Sequence, residues 1–330
     1  MYSRIFFLTL TLLFLLAFFI TMACCSWIKF TRPGPLVAAT NLIIPVGSNI
    51  KAIADLLMEA GVISDISVFV LGARVTGKTR TLKAGEFAFP AAISQQGVLK
   101  ILEKGTVVAH HLTVAEGLSV INIVAIINAT QGLSGEIHDM PLEGTLLPET
   151  YYYVYGDKRA DIINRMRLAM DRTVNELWKR RDPALPIATS KEALILASIV
   201  EKETKIEAER PLVASVFVNR LNFRMKLQSD PTVVYGISGG ECLNRPLNKT
   251  DLRLHTPYNT YIISGLPPGP ISNPGVASIA AVLQPAKTDY LYFVADGKGG
   301  HAFSSTLFQH NHNVSDWRKQ QKNSAYSLYN

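Results

Sequence analysis

An apolar run near the N-terminus constrains this chain more than any other feature. No charged residue occurs from Ile5 to Ile28, and the polar interruptions are all Thr or Ser. About 20 apolar residues are enough for a helix to cross the hydrocarbon core of a bilayer. We therefore predict a transmembrane helix over residues 1–28.

The length of this run favours a retained signal-anchor over a cleaved signal peptide, whose apolar core is usually shorter. Ala23 before Cys24 is similar to a lipoprotein processing site, but Thr21 stands where such sites usually have Leu. Basic residues lie on both sides of the run, so charge does not fix the orientation of the helix. We expect a stem over residues 29–40, where two prolines prevent the helix from continuing.

Residues 41–110 have the pattern of a small α+β module. A short apolar strand is followed by a Gly turn and by Ser48, which we expect to cap a helix that stops at Gly61. Helical spacing of apolar residues predicts a second helix over Ile66–Val75, and Glu86–Phe89 has the composition of a strand.

Residues 111–330 predict a larger α+β domain, in which Ser119 repeats the strand, turn and cap pattern. Apolar residues recur at helical spacing over Asp161–Trp178 and Ser190–Thr204, and Tyr290–Val294 has the composition of a strand. Helices and strands do not alternate regularly, which argues against a doubly wound parallel sheet. The expected fold class is α+β, with an N-terminal transmembrane helix, the small module and this larger domain.

The charge balance narrows the class of partner. A net charge of +7 and a pI near 9.2 favour an anionic partner such as lipid headgroups, an acidic wall polymer or nucleic acid. Basic residues are dispersed without interleaved aromatics, so we expect no nucleic acid partner. His301, His310 and His312 lack the spacing of zinc or metalloprotease motifs, and we expect neither a metal nor another cofactor.

Glu201 is the first candidate for chemistry. A capping box starts a helix at Ser190 that is almost entirely apolar up to Val200, so this helix should be buried. Glu201 continues its apolar stripe, and Glu203 lies on nearly the opposite side. A carboxyl held against apolar neighbours loses solvation in its charged form and can keep a proton, as a general acid requires. The alternative is that Glu201 has no catalytic role and simply begins the polar C-terminal end of the helix.

Polar and aromatic residues downstream are candidates for binding sugar hydroxyls and N-acetyl groups. They are Gln228, Ser229, Asp230, Tyr258, Asn259 and Tyr261. The first three also fit an ordinary polar turn before a proline. The last three precede a loop rich in proline and glycine, residues 265–275, whose stiffness suits the positioning of a ligand.

Four stretches of the chain resemble, in order, motifs of the YceG-like family of endolytic murein transglycosylases. They are Leu142–Tyr151, Ala197–Thr204, Leu227–Thr232 and Gly265–Ile271. The resemblance implies an inner-membrane anchor, a LysM-like module at about 41–110 and a periplasmic catalytic domain. It also implies that the first Glu of the Val-Glu-Lys-Glu motif, Glu201, is the catalytic residue.

The resemblance further implies a mechanism with one carboxyl. Protonated Glu201 would donate to the oxygen between MurNAc and GlcNAc and then take the proton of the MurNAc C6 hydroxyl, which closes to a 1,6-anhydro end. The expected partners are the glycan strands of nascent peptidoglycan, the inner membrane and peptidoglycan synthases. The alternatives are a hydrolytic muramidase, with Asp230 or Glu149 as its second carboxylate, and a non-catalytic wall-binding scaffold.

Overall fold

The computed structural model describes the backbone of residues 2–327 and the side chains of residues 5–321. The described residues divide into two compact units. The first unit contains residues 2–110 and 152–156, and the second contains residues 111–151 and 157–327.

Helices surround a two-stranded sheet in the first unit. The elements are α1 (Tyr2–Thr31), β1 (Thr40–Ile44), α2 (Ile50–Glu59), α3 (Ile66–Val75), β2 (Gly85–Phe89) and α4 (Gln95–Lys104). Strands β1 and β2 are antiparallel, with Leu42 opposite Phe87. The fully buried side chains of Leu57, Phe69 and Phe87 form the centre of the core, to which each neighbouring element contributes apolar residues.

The sequence predicted most of these elements, and α3 has the predicted bounds. The prediction that Ser48 caps α2 is wrong, because the side chain of Asn49 accepts the bond from Ala52 N at 2.9 Å. Helix α4 was not anticipated, although Ser94 caps it and Gly105 ends it in the left-handed conformation.

Helix α1 is the one helix among the described residues that is long and apolar enough to cross a membrane. It continues to Thr31, and Phe30 is buried in the core of the first unit. The segment that follows is attached to the same unit, since Gly34 N donates to Ala92 O and Ala92 N donates to Leu36 O.

The second unit is mainly helical. The elements that follow α4 along the chain are β3 (Ala109–Thr113), α5 (Val120–Ala129), β4 (Thr150–Val154), α6 (Arg159–Lys179), α7 (Ser190–Glu203), α8 (Arg210–Asn222), α9 (Asp230–Ser238), α10 (Val276–Leu283), β5 (Tyr292–Ala295), β6 (His301–Ser304) and α11 (Leu307–Ser327). Strand β3 pairs with β4. Strands β5 and β6 pair antiparallel, with Phe293 opposite Phe303. The predicted mixture of helix and strand and the N-terminal apolar helix are confirmed.

Strand β5 starts two residues later than predicted. The carbonyls of Tyr290 and Leu291 accept hydrogen bonds from Asn219 and Arg220 of α8, at 2.9 and 2.7 Å. These bonds join the start of the segment to α8.

Helix α7 lies at the centre of the second unit and packs against α6, α8 and α10. The predicted capping box is confirmed, because Thr189 and Glu192 each accept a bond from the other's backbone. The hydroxyl of Ser198 accepts a hydrogen bond from Ile271 N at 3.0 Å, and Ser272 Oγ donates to Ser198 O at 3.2 Å. These bonds fix the proline-rich loop against the helix that carries the candidate carboxylates.

We expect Gly72→Ala to destabilise the first unit by about 1–3 kcal/mol, because overpacking forces neighbours to move. A Cβ at this position would lie 2.3 Å from a ring carbon of Phe30. Thermal unfolding of the detergent-solubilised chain measures the effect, and Ser67→Ala, at an exposed position of the same helix, is the control. Equal unfolding temperatures for the two variants would contradict this prediction.

Candidate functional site

Two carboxyl groups at the C-terminal end of α7 face different surroundings. The helix ends at Glu203, and Thr204 adopts an extended conformation. Because two residues correspond to about 200° of helical rotation, Glu201 and Glu203 project to nearly opposite sides.

Glu201 belongs to a closed polar cluster. Its Oε2 accepts from Gly275 N at 2.9 Å, and its Oε1 lies 3.4 Å from Nη2 of Arg210, which also donates to Glu116 at 2.9 Å. A Cβ at position 275 would lie 1.8 Å from Glu116 Oε1, so a residue other than glycine would displace this carboxylate from its place beside Arg210. Both oxygens of Glu201 are therefore bonded within the protein, and the side chain is buried.

A second polar cluster, centred on Asn273, holds the same loop. Asn273 is fully buried, its Oδ1 accepts from Leu146 N at 2.9 Å, and its amide donates to Glu143 at 2.8 Å. Burial raises the pKa of Glu143, although hydrogen bonds from Val120 N and other donors oppose this change. The loop that supplies Gly275 is thus fixed by buried polar groups.

Glu203 has a different environment, since it lines a cavity of about 480 Å³. Ser229 Oγ donates to its Oε1 at 2.5 Å. The pKa of Glu203 is raised to about 7, chiefly by loss of solvation. The negative charge of Asp230 also raises it, while Ser229, His301 and Arg220 act in the opposite direction. This carboxyl can therefore be protonated or ionised near neutral pH.

The polar wall of the cavity is built from the segment before α9. Gln228 has a φ of 52°, in the left-handed region, and its backbone N donates to Thr260 O at 3.2 Å. Asp230 accepts a hydrogen bond from the Tyr261 hydroxyl at 2.6 Å. Burial raises the pKa of Tyr261, so this hydroxyl remains a donor.

Arg220 forms the base of the cavity together with aromatic residues of β5. Its guanidinium donates to Leu227 O and Leu291 O, each at 2.7 Å, and lies 5.3 Å from the ring centre of Tyr292. Burial lowers the pKa of Arg220. The arginine thus joins α8 to two cavity walls and contributes positive charge near Glu203.

The structure brings together some of the residues predicted to bind sugar. Gln228, Asp230 and Tyr261 line the cavity, and the hydroxyl of the buried Ser229 donates a hydrogen bond to Glu203. Tyr258 instead packs against Tyr235, with ring centres 4.8 Å apart.

Asn259 is completely buried away from the cavity lining. Its amide donates to Leu252 O and Leu254 O at 3.1 and 2.8 Å, and its Oδ1 accepts from Tyr261 N at 3.0 Å. The side chain therefore shapes the loop that presents Tyr261.

Sequence reasoning missed the cavity walls that come from α8, β5 and α11. His310 of α11 lines the cavity and stacks on Tyr292, with ring centres 5.1 Å apart. Burial, together with Arg220, lowers the pKa of His310, and its Nδ1 has no hydrogen-bond partner. No local motif links these residues to Glu203: Arg220 of α8 is 17 positions away, and Tyr292 and His310 are about 90 to 110 positions away. Within residues 5–321, no group of three or more His, Cys, Asp or Glu side chains could hold a metal ion.

Comparison with known proteins establishes the family. The model of the YceG-like family matches residues 42–316. The chain belongs to the YceG-like family. The sequence resemblance is therefore confirmed.

Two bacterial relatives of this YceG-like chain carry the name endolytic murein transglycosylase. The Bacillus subtilis protein is 33% identical over 302 residues, which cover 82% of each chain. The protein of Streptococcus pneumoniae strain D39 is 30% identical over 319 residues, which cover 83% of this chain and 57% of that protein. A crystal structure of a yceG-like protein from Listeria monocytogenes is 32% identical, has a TM-score of 0.52 and covers 84% of this chain and 99% of that one.

We expect the stability of this YceG-like chain to fall relative to that of Glu203→Gln as the pH rises. The pKa of Glu203 is about 7 in the folded protein and ordinarily 4.5, so between these values the folded state binds more protons than the unfolded state. Stability must then decrease with pH, and the glutamine variant lacks this decrease. Unfolding temperatures at about pH 5 and pH 8 measure the change.

Glu207→Gln removes an exposed carboxylate nearby and serves as the control. A difference between wild type and Glu203→Gln that stays constant with pH would contradict the environment described for Glu203.

Proposed function

We propose that this chain is an endolytic murein transglycosylase that cuts the MurNAc–GlcNAc bond of peptidoglycan and leaves 1,6-anhydroMurNAc ends. The names of its relatives support the activity. The observation that carries the proposal is the position of Glu203, a carboxyl with a pKa of about 7, on the wall of a cavity lined by polar and aromatic groups.

We assign the acid and base role to Glu203, whereas the sequence prediction gave it to Glu201. Glu201 is buried and is not among the residues that line the cavity; its Oε1 faces Arg210 and its Oε2 accepts from Gly275 N, so it acts within a structural cluster. Glu203 lines the cavity and can hold a proton near neutral pH. A general acid must both reach the leaving oxygen and carry a proton at the working pH, and Glu203 meets both requirements.

The proposed reaction needs one carboxyl used twice. Protonated Glu203 donates to the glycosidic oxygen, and the bond from that oxygen to the MurNAc anomeric carbon breaks. The MurNAc N-acetyl group supports the positive charge that develops on the anomeric carbon. Carboxylate Glu203 then accepts the proton of the C6 hydroxyl as its oxygen bonds to that carbon, so no water is consumed and Glu203 recovers its proton.

The neighbouring residues position the groups of this reaction. Ser229 fixes the rotation of the Glu203 carboxyl through its 2.5 Å hydrogen bond. The amide of Gln228, the carboxylate of Asp230 and the hydroxyl of Tyr261 offer donors and acceptors for sugar hydroxyl and N-acetyl groups. Tyr292, whose ring stacks on His310, contributes apolar surface to the same cavity.

The location of the substrate favours an anchored arrangement. Helix α1 is long and apolar enough to span the bilayer once, and peptidoglycan lies outside the inner membrane. In our proposal α1 is the inner-membrane anchor, both units are periplasmic, and residues 41–110 form a LysM-like module that holds the glycan strand. Peptidoglycan synthases are the proposed protein partners, since the anchor confines the enzyme to nascent strands.

We expect Glu203→Gln to lower the rate of anhydro-end formation at least about 100-fold, because general acid catalysis typically contributes 10²- to 10⁴-fold. We expect Glu201→Gln to lower the unfolding temperature and to retain cleavage by the folded fraction, because it weakens a structural cluster. Purified peptidoglycan serves as substrate, and mass spectrometry of the new chain ends measures the products.

Glu207→Gln is the matched control, and circular dichroism establishes that each variant is folded. A folded Glu201→Gln protein without activity, beside an active Glu203→Gln protein, would return the catalytic role to Glu201. Reducing ends instead of anhydro ends from the wild type would identify a hydrolytic muramidase. Absence of cleavage by the wild type would favour the non-catalytic scaffold.

The pH dependence of the rate offers a separate prediction. Cleavage should decline as the pH rises through about 7, because Glu203 then loses the proton it donates. Asp230 raises the pKa of Glu203, so Asp230→Asn should move this decline to lower pH. The position of the decline is the readout, because substrate binding by Asp230 affects the size of the rate. An unchanged position in Asp230→Asn would show that Asp230 does not tune Glu203.

A further inference from the structure

Helix α1 enters the first unit without a break. Its residues run as one helix to Thr31, and Phe30 is only 2% exposed, with its ring against Gly72 of α3. Lys29 Nζ lies 3.6 Å from a carboxylate oxygen of Asp65, the residue that caps α3. The first unit is therefore held at a defined height along the apolar helix.

Helix α3 lies beside the apolar part of α1, and the two helices enclose a crevice of about 170 Å³. The residues that line it include Ala23, Trp27, Phe30, Leu71, Gly72 and Val75. Ala23 precedes Phe30 by seven residues, which is about 10 Å along a helix. Since the N-terminal cap of α3 meets Lys29, the C-terminal half of α3 extends back along α1 beside its uncharged residues.

The outer surface of this half of α3 is apolar and exposed. Leu71 is 50% exposed and Val75 is 71% exposed, although every residue from Ile66 to Val75 except Ser67 and Arg74 is apolar or glycine. Two large apolar side chains one helical turn apart are unfavourable in water. If α1 spans the membrane, Leu71 and Val75 face lipid instead of water, and their exposure is then favourable.

The charges around this surface match an anionic bilayer. Lys29 and Arg32 follow the uncharged run of α1, and the exposed side chains of Arg74 and Arg80 lie in or just after α3. Amphipathic helices bind membrane interfaces by burying apolar side chains while basic side chains meet lipid phosphates.

We propose that Leu71 and Val75 of α3 insert into the anionic lipid interface of the membrane that α1 crosses. This inference rests on the proposed anchor role of α1. The first unit is then attached to the membrane at two places, one through the span and one through α3, and residues 32–39 do not act as a flexible tether.

The test uses the full chain in vesicles of phosphatidylethanolamine and phosphatidylglycerol. Cys24, Cys25 and Cys242 are replaced by Ser, and a single cysteine is introduced by Val75→Cys and labelled with an environment-sensitive fluorophore. Nitroxide lipids report contact with the bilayer, and aqueous iodide reports contact with water. The matched control is Val46→Cys, at another exposed valine of the same unit. Leu15→Cys, within the apolar run, reports the anchor itself.

We expect lipid quenching at position 75 to be at least about threefold that at position 46, with the opposite order for iodide. If the label at position 15 is quenched by lipid but positions 75 and 46 behave alike, the docking proposal fails while the anchor stands. If position 15 is not quenched by lipid, the anchor fails and the docking proposal fails with it. Protection of position 75 from both quenchers that increases with the protein-to-lipid ratio would identify a second copy as the occupant and overturn the proposal.

Discussion

The burial of α7 is the constraint on which the second unit depends. A helix that is apolar on nearly every side must be covered on every side, and α6, α8 and α10 provide that cover. Its last turn then meets polar groups in two opposite directions. Glu201 faces the cluster that fixes the loop around Gly275, and Glu203 faces the cavity. The same helix thus supports the fold with one carboxylate and the proposed chemistry with the other.

The charge state of Glu203 reflects a balance in which loss of solvation is the largest effect. Asp230 reinforces this effect, while the hydrogen bond from Ser229 and the electrostatic influence of His301 and Arg220 oppose it. His301 is itself held by Glu209, whose carboxylate lies 2.6 Å from Nδ1. Groups from α9, α8 and β6 therefore set the pKa of Glu203. This carboxyl keeps its proton near neutral pH only while the second unit is correctly folded.

The sequence predicted helices from local patterns but contained no local signal for the different surroundings of Glu201 and Glu203. The bounds of α3 and the capping box of α7 follow from apolar spacing and side-chain caps, which are local. The apolar stripe of α7 predicted that Glu201 is buried. Its bonds to Arg210 and Gly275 depend on tertiary structure, which the local pattern does not contain.

The cavity depends on contacts that no short pattern contains. Tyr292 of β5 and His310 of α11 line the same cavity as Glu203, and Arg220 is positioned by carbonyls of two separate segments. Two segments were identified from their polar and aromatic residues, yet residue type did not separate Asp230, at the cavity, from Asn259, which supports its own loop internally.

The left-handed backbone of Gln228 has a thermodynamic consequence for the cavity. This conformation costs a residue with a Cβ about 1–2 kcal/mol of conformational free energy, so contacts with the surrounding residues must hold Gln228 in it. When heat or a distant substitution weakens those contacts, the backbone of Gln228 leaves the left-handed region because its free energy falls. Its side-chain amide then moves away from the cavity wall. The cavity wall is thus a point of stored strain, and the binding surface can be lost while the helical core of the second unit is still folded.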